Sequence, residues 1–264
     1  MNGPAPVTRG LPFRALAPNA VTALALCFGL TGVRFAIAEN WGWALGCVVI
    51  AGVLDGMDGR IARLLRANSR FGAELDSLSD VTAFGVAPSF ILYLWSLQYA
   101  PHFGWVAALA LAVCCALRLA RFNSRMDAED QPHKSAGYMT GVPAPAGAGL
   151  SFVPAYLWLV TGEPLFRQWF VVMPWVLFIA LLMISSIATF SWSSLRVRSS
   201  ARIFAIAGVG LLGASLVTNP WVTLLAISLL YIAMLPFSIA SYRKVKRRRA
   251  SVPGPGPDAA TERG

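Results

Sequence analysis

Long apolar runs alternate along this chain with short polar connectors, and most of the runs exceed what a buried helix of a water-soluble domain requires. The first run spans Asn19 to Ala38, and the second runs from Trp41 to about Asp58 and continues as a polar helix through Leu65. The third covers about Asp80 to Tyr99, and the fourth Trp105 to about Arg118. Four more follow: Pro145–Val160, Phe170–Phe190, Ile203–Val217 and Trp221–Ser241. Each is long enough, or nearly so, for a hydrocarbon core about 30 Å thick. The pattern predicts an all-α polytopic membrane protein with about eight transmembrane helices. It divides the chain into a basic N-terminal arm (1–17), a transmembrane domain (18–242) and a basic tail (243–264) whose Pro/Gly-rich end is expected to be disordered. The arm holds Arg9, Arg14 and three prolines, and no small-residue cleavage site follows the first apolar run, so no cleavable signal peptide is expected.

Composition agrees: the 264 residues are 56% hydrophobic and 13% charged, with a mean hydropathy of +0.61, which is too apolar for an ordinary soluble domain. A net charge of +10 raises the question of nucleic acid, but the cations sit in connectors beside apolar runs, so a membrane surface is the better explanation and no nucleic-acid partner is expected. Arg60, Arg63, Arg66 and Arg70 follow the second run, and Arg118, Arg121, Arg125 and Lys134 the fourth. Arg196, Arg198 and Arg202 follow the sixth, and Arg243 to Arg249 the eighth. The opposite connectors hold only Arg167 and a few polar residues, so positive charge predicts both termini and the even-numbered connectors to be cytoplasmic. Cys27, Cys47, Cys114 and Cys115 all lie in apolar runs and are expected to be reduced packing residues, while His102 and His133 lie in connectors and are expected to be solvated.

Four aspartates interrupt this apolar background: Asp55, Asp58, Asp76 and Asp80. The first pair is spaced i,i+3 and the second i,i+4, so on helices each pair shares one face. From Trp41 to Asp55 is 14 residues, about 21 Å of helix, which puts Asp55 toward the cytoplasmic end of its run but below the surface. Ionisable groups at that depth are costly and mark functional sites. Two carboxylate faces brought together suit hard divalent cations such as Mg²⁺ or Mn²⁺, and a pair of ions can clamp a phosphoryl group during in-line displacement. The structural alternative is that the aspartates merely pair with neighbouring arginines at the membrane interface. A further alternative, a transporter or channel whose intramembrane carboxylates bind cations, would show internal symmetry between halves and correspondingly broken spans, and neither is visible in the sequence.

Between the pairs lie Gly59, Ala62, Arg63 and Gly72. Small residues there admit either a ligand or a neighbouring helix. The whole order is Asp-x2-Asp-Gly-x2-Ala-Arg-x8-Gly-x3-Asp-x3-Asp, eight fixed positions in 26 residues. It resembles the signature of the CDP-alcohol phosphotransferases, integral membrane enzymes that move a phosphatidyl-type group from a CDP-linked lipid to an alcohol and release CMP. The runs DSLSDVTAFGVAPS, ALRLARFN (Ala116–Asn123) and TGVPAPAGAG (Thr140–Gly149) are similar to segments of the bacterial, membrane-embedded phosphatidylserine synthase branch, as are PNAVT (Pro18–Thr22) and LMISSIATFS (Leu182–Ser191).

The resemblance implies that Asp55, Asp58, Asp76 and Asp80 bind two divalent cations, with Asp80 also the general base. It implies CDP-diacylglycerol and L-serine as substrates, a homodimer, and a bacterial inner membrane with the active site on the cytoplasmic side. A sister enzyme acting on glycerol 3-phosphate, choline or inositol would share the same acidic stretch. The resemblance places the CDP moiety near Asn19, Thr22, Gly59, Ala62, Arg63, Ser69 and Gly72. Asn19 and Thr22 can equally be read as a helix N-cap pair. Arg118 and Arg121, spaced i,i+3, can face one site and hold a carboxylate or phosphate, or serve as a positive-inside anchor. No Ser, Cys or His nucleophile with a partner base is evident, so direct in-line attack is expected.

Overall fold

A computed structural model describes residues 13–65, 69–126, 138–185, 188–190 and 202–250. The helices are α1 (Phe13–Ile37), α2 (Trp41–Leu65), α3 (Arg70–Asp80), α4 (Ala87–Trp95), α5 (Gly104–Met126), α6 (Ala144–Ser151), α7 (Val153–Thr161), α8 (Trp169–Ile184), α9 (Arg202–Thr218) and α10 (Pro220–Ala250). A π-helical turn, Val81–Val86, joins α3 to α4, and the amide of Ala87 donates to the carbonyl of Thr82 five residues back. Leu16–Ile37, Arg70–Trp95 and Gly104–Ser124 are long and apolar enough to cross a membrane. The bent pair α6–α7 makes a fourth, and Trp169–Ile184, Ala207–Thr218 and Pro220–Pro236 are shorter apolar helices.

The expected elements stand with shifted limits. α1 begins at Phe13, inside the stretch read as an arm, so Asn19 and Thr22 lie within a helix and are not its N-cap. The third leg starts at Arg70, not near Asp80, and the fifth is broken at Phe152 by a bend of 41°. Pro154 causes the break: it lacks an N–H and is tolerated only in the first turn of the new helix. The sixth ends at Ile184 and not at Phe190, because residues 188–190 form β2 and pair antiparallel with β1 (Tyr138–Thr140), with Met139 opposite Thr189. Gly141 turns the chain out of β1 at φ +80°, where a Cβ would stand 2.9 Å from the Met183 carbonyl oxygen. α10 continues as helix to Ala250, through the basic run Arg243–Arg249. Residues 1–12 and 251–264 and the connector carrying Lys134 and His133 lie outside the described residues, as do Arg66, Arg196 and Arg198.

α1 and α2 form a tight hairpin around small buried residues, among them Ala25, Ala36, Ala44 and Ala51, which allow close helix approach. Phe84, Ile91, Leu111, Phe152, Tyr156 and Ile179 fill the core between the other legs. Of the cysteines, Cys47 and Cys115 are buried as expected, whereas Cys27 is exposed on α1; all four are free thiols. His102 is exposed, as expected for a connector.

The bundle is tied at both ends. At the end where α2 starts, the Arg167 guanidinium lies 5.4 Å from the Trp41 ring centroid and 5.6 Å from that of Trp158. Its Nε donates to the Trp95 carbonyl at 3.0 Å, and Ser96 Oγ donates to the Arg167 carbonyl at 2.7 Å. At the opposite end Asn123 Nδ2 donates to Ser77 Oγ at 2.8 Å, joining α5 to α3. This second end carries the aspartates.

Candidate active site

The last third of α2 and the whole of α3 supply the acidic residues. Ser69 starts α3 as a conventional N-cap, extended at φ −132° and ψ 151°, with its Oγ accepting from the Gly72 amide at 3.0 Å. From there the i,i+4 spacing carries Asp76 and Asp80 along one face toward α2. Asp55, Asp76 and Asp80 each present a carboxylate oxygen within 4.8 Å of the others, and the Asp55 and Asp80 carboxyls are within hydrogen-bonding reach of one another. Anionic carboxylates this close repel unless a cation or proton lies between them. An all-oxygen donor set suits a hard divalent cation, so these three residues can hold one.

Asp58 stands outside that group of three. Its Oδ2 accepts from the Thr22 hydroxyl at 2.7 Å, and its side chain is 5% exposed. Asp58 and Asp76 instead share a cavity of about 230 Å³ with Pro18, Asn19, Thr22, Gly59, Ala62, Ser69, Gly72 and Ala73. Gly72 leaves room for its neighbour: a Cβ there would come within 2.8 Å of Asn19 Oδ1 and the Asn19 side chain would have to shift. Six residues assigned to the CDP moiety by resemblance, Asn19, Thr22, Gly59, Ala62, Ser69 and Gly72, thus line one concavity beside two of the aspartates. Pro18 and Ala73 line it as well; apolar and small, they carry no signal of their own in the sequence.

The arginines separate. Arg63 is not among the residues lining the cavity, and its Nε donates to the Gly59 carbonyl one turn back on its own helix, at 3.0 Å. Arg121 is committed elsewhere: Nη1 donates at 2.8 Å to the carbonyl of Ile184, the last residue of α8. Of the three, Arg118 is the one close enough to Asp55 and Asp80 to interact electrostatically with both. Its Nε is buried and has no hydrogen-bond partner among the described residues. Arg63 and Arg121 therefore bond to main-chain carbonyls and are not paired with the aspartates. Ser77, Ser79 and Asn123, which tether α3 to α1 and α5, were not singled out in the sequence, where a lone Ser or Asn near a helix end carries no distinctive spacing.

The stretch that holds these residues also matches known families. The family described as CDP-alcohol phosphatidyltransferase matches residues 15–184, and the one described as CDP-alcohol phosphatidyltransferase 2 matches residues 201–236. The chain is 35% identical over 253 residues to a Mycobacterium tuberculosis (strain ATCC 25618 / H37Rv) protein named CDP-diacylglycerol–serine O-phosphatidyltransferase, with 92% of this chain and 88% of that one covered. It is 37% identical over 226 residues to the Mycobacterium leprae (strain TN) protein of that name, covering 86% and 75%. A Helicobacter pylori (strain J99 / ATCC 700824) protein of the same name is 39% identical over 135 residues, covering 51% and 55%.

Proposed function

The chain belongs to the CDP-alcohol phosphatidyltransferase family, and from that premise we propose that it transfers the phosphatidyl group of CDP-diacylglycerol to the hydroxyl of L-serine, giving phosphatidylserine and CMP. The observation that carries the reading is the convergence of Asp55, Asp76 and Asp80 beside a buried arginine, Arg118, whose Nε has no hydrogen-bond partner among the described residues. Asp55, Asp58, Asp76 and Asp80 would hold two divalent cations, Mg²⁺ or Mn²⁺, which when bound would supply charge neutralisation for the diphosphate.

The chain's own residues do the rest. Lined by Asn19, Gly59, Ala62, Ser69 and Gly72, the cavity seats the CMP portion. Arg118 receives the serine carboxylate through charge-assisted hydrogen bonds. Asp80 takes the proton of the serine hydroxyl as its oxygen bonds to the lipid-side phosphorus. The bond from that phosphorus to CMP breaks, and the electron pair leaves with CMP, past Arg63. No covalent enzyme intermediate is needed.

The eight helical legs are taken as spans of a bacterial inner membrane, with both termini and the acidic end cytoplasmic and the enzyme a homodimer. Arginines clustered at the acidic end favour that orientation. The test is CMP release by purified protein with CDP-diacylglycerol, comparing L-serine with glycerol 3-phosphate, choline and inositol, each with Mg²⁺, Mn²⁺ or chelator. Release that needs both metal and serine is expected. Metal-dependent release with another alcohol would change the acceptor, and no release with any acceptor would overturn the enzyme reading.

A further inference from the structure

Thr22 touches both halves of the acidic stretch at once. Its Oγ1 lies 2.7 Å from Asp58 Oδ2 and 3.1 Å from the Pro18 carbonyl oxygen. A hydroxyl has one proton to donate, so only one of these contacts can be a full hydrogen bond. The shorter one leads to a carboxylate, where a charge-assisted bond is the stronger. Held by this bond, the carboxylate has less freedom to rotate.

The main chain of Thr22 serves the other half. Its carbonyl accepts from Ser79 Oγ at 3.1 Å, one residue before Asp80. Thr22, Asp58 and Ser79 are 5%, 5% and 3% exposed, so the joint is largely shielded from bulk solvent. One residue of α1 thereby fixes where Asp58 of α2 stands relative to the segment of α3 that carries Asp76 and Asp80. Asp58 is also the aspartate outside the close group of three, and so the one whose position depends most on an outside tether.

We propose that Thr22 is a positioning residue: its hydroxyl sets the Asp58 carboxylate and its carbonyl, through Ser79, sets α3 against it, so that the two carboxylate pairs are aligned for a cation. This differs from a role as a nucleotide contact, and it rests on reading the four aspartates as cation ligands. Thr22→Val keeps the shape and removes the donor, whereas Thr22→Ser keeps the donor.

The experiment is Mn²⁺ binding to purified full-length protein without substrates, read from the electron paramagnetic resonance signal of free Mn²⁺. Loss of a partner that orients a ligand typically weakens metal binding by about 10- to 100-fold. Thr22→Val is therefore expected to raise half-saturating Mn²⁺ by about tenfold or more, with Thr22→Ser near wild type. Wild-type affinity in Thr22→Val overturns the inference, as does a raised CDP-diacylglycerol KM with Mn²⁺ binding unmoved. If Thr22→Val does not fold, Ser79→Ala removes the second tie alone and should also raise half-saturating Mn²⁺; an unchanged value overturns the inference. Wild-type protein that binds no Mn²⁺ would overturn the aspartate reading itself, a separate and recognisable result.

Discussion

Gly59→Ala should separate folding from substrate binding in a single variant. Gly59 lies within α2, and a Cβ added there meets nothing within 4 Å. Alanine is favoured over glycine in a helix by about 1 kcal/mol, so the apo protein should be as stable as wild type or more so. The new methyl would nevertheless stand at the wall of the cavity of about 230 Å³ that we assign to CMP. Overpacking a fitted site costs about 1–3 kcal/mol, roughly a 5- to 150-fold loss of affinity. Because the nucleotide occupies its seat before and during reaction, the loss should fall on the CDP-diacylglycerol KM and leave kcat near wild type. The assay is CMP release against CDP-diacylglycerol at saturating serine, alongside thermal unfolding in detergent. Gly46→Ala is the control: it lies on the same helix, is equally open to a Cβ, and is not among the residues lining the cavity. An unchanged KM in a stable Gly59→Ala protein would refute the placement of the nucleotide.

Three further outcomes are expected. Asp80→Asn should lower turnover by about 100-fold or more, the usual contribution of a general base, while still binding CDP-diacylglycerol by equilibrium titration; turnover near wild type would remove Asp80 from that role. Arg118→Ala should raise the serine KM by roughly 10- to 150-fold, matching the loss of a charge-assisted hydrogen bond worth about 1.5–3 kcal/mol, and an unmoved KM would favour an anchoring role. Arg167→Met should lower thermal stability by about 2–4 kcal/mol, from two cation–π contacts and one hydrogen bond, with the serine KM unchanged; a shifted KM would mean that the two ends of the bundle are coupled.

The acidic stretch was legible because its signal is local: two helical spacings fix which carboxylates share a face, and burial in an apolar chain marks them as costly. Helix legs were legible from apolar runs, and the continuation of α2 through Leu65 followed from Ala, Arg and Leu, which favour helix in polar surroundings. Limits were less so. The arm's limit at residue 17 falls inside α1, which also holds Pro18, whose carbonyl is approached by the Thr22 hydroxyl. β1 and β2 lie almost fifty residues apart in sequence, and pairing at that distance leaves no short-range pattern. The division of labour between Arg118 and Arg121 was also hidden. Their spacing allows a shared face, and only the position of Ile184 at the end of α8 decides that one of them is spent on a carbonyl.

The π turn between Asp80 and Ala87 has a consequence for how this leg can vary. In an α-helix each residue advances the chain by about 100°, so every side chain on a continuous helix is locked in phase with every other. A widened turn accommodates one residue more and breaks that lock. Asp76 and Asp80 are then free of the phase that Phe84, Ile91 and Trp95 need in order to face the core. The leg behaves as two screws joined by a slip coupling: the lower half is indexed to the carboxylates of α2, the upper half to the packing of the bundle. Side chains in the upper half can be exchanged for others of similar volume without turning the acidic face, and removing the one extra residue from Val81–Val86 should close the widened turn to an ordinary α-helical one with that face still directed at α2.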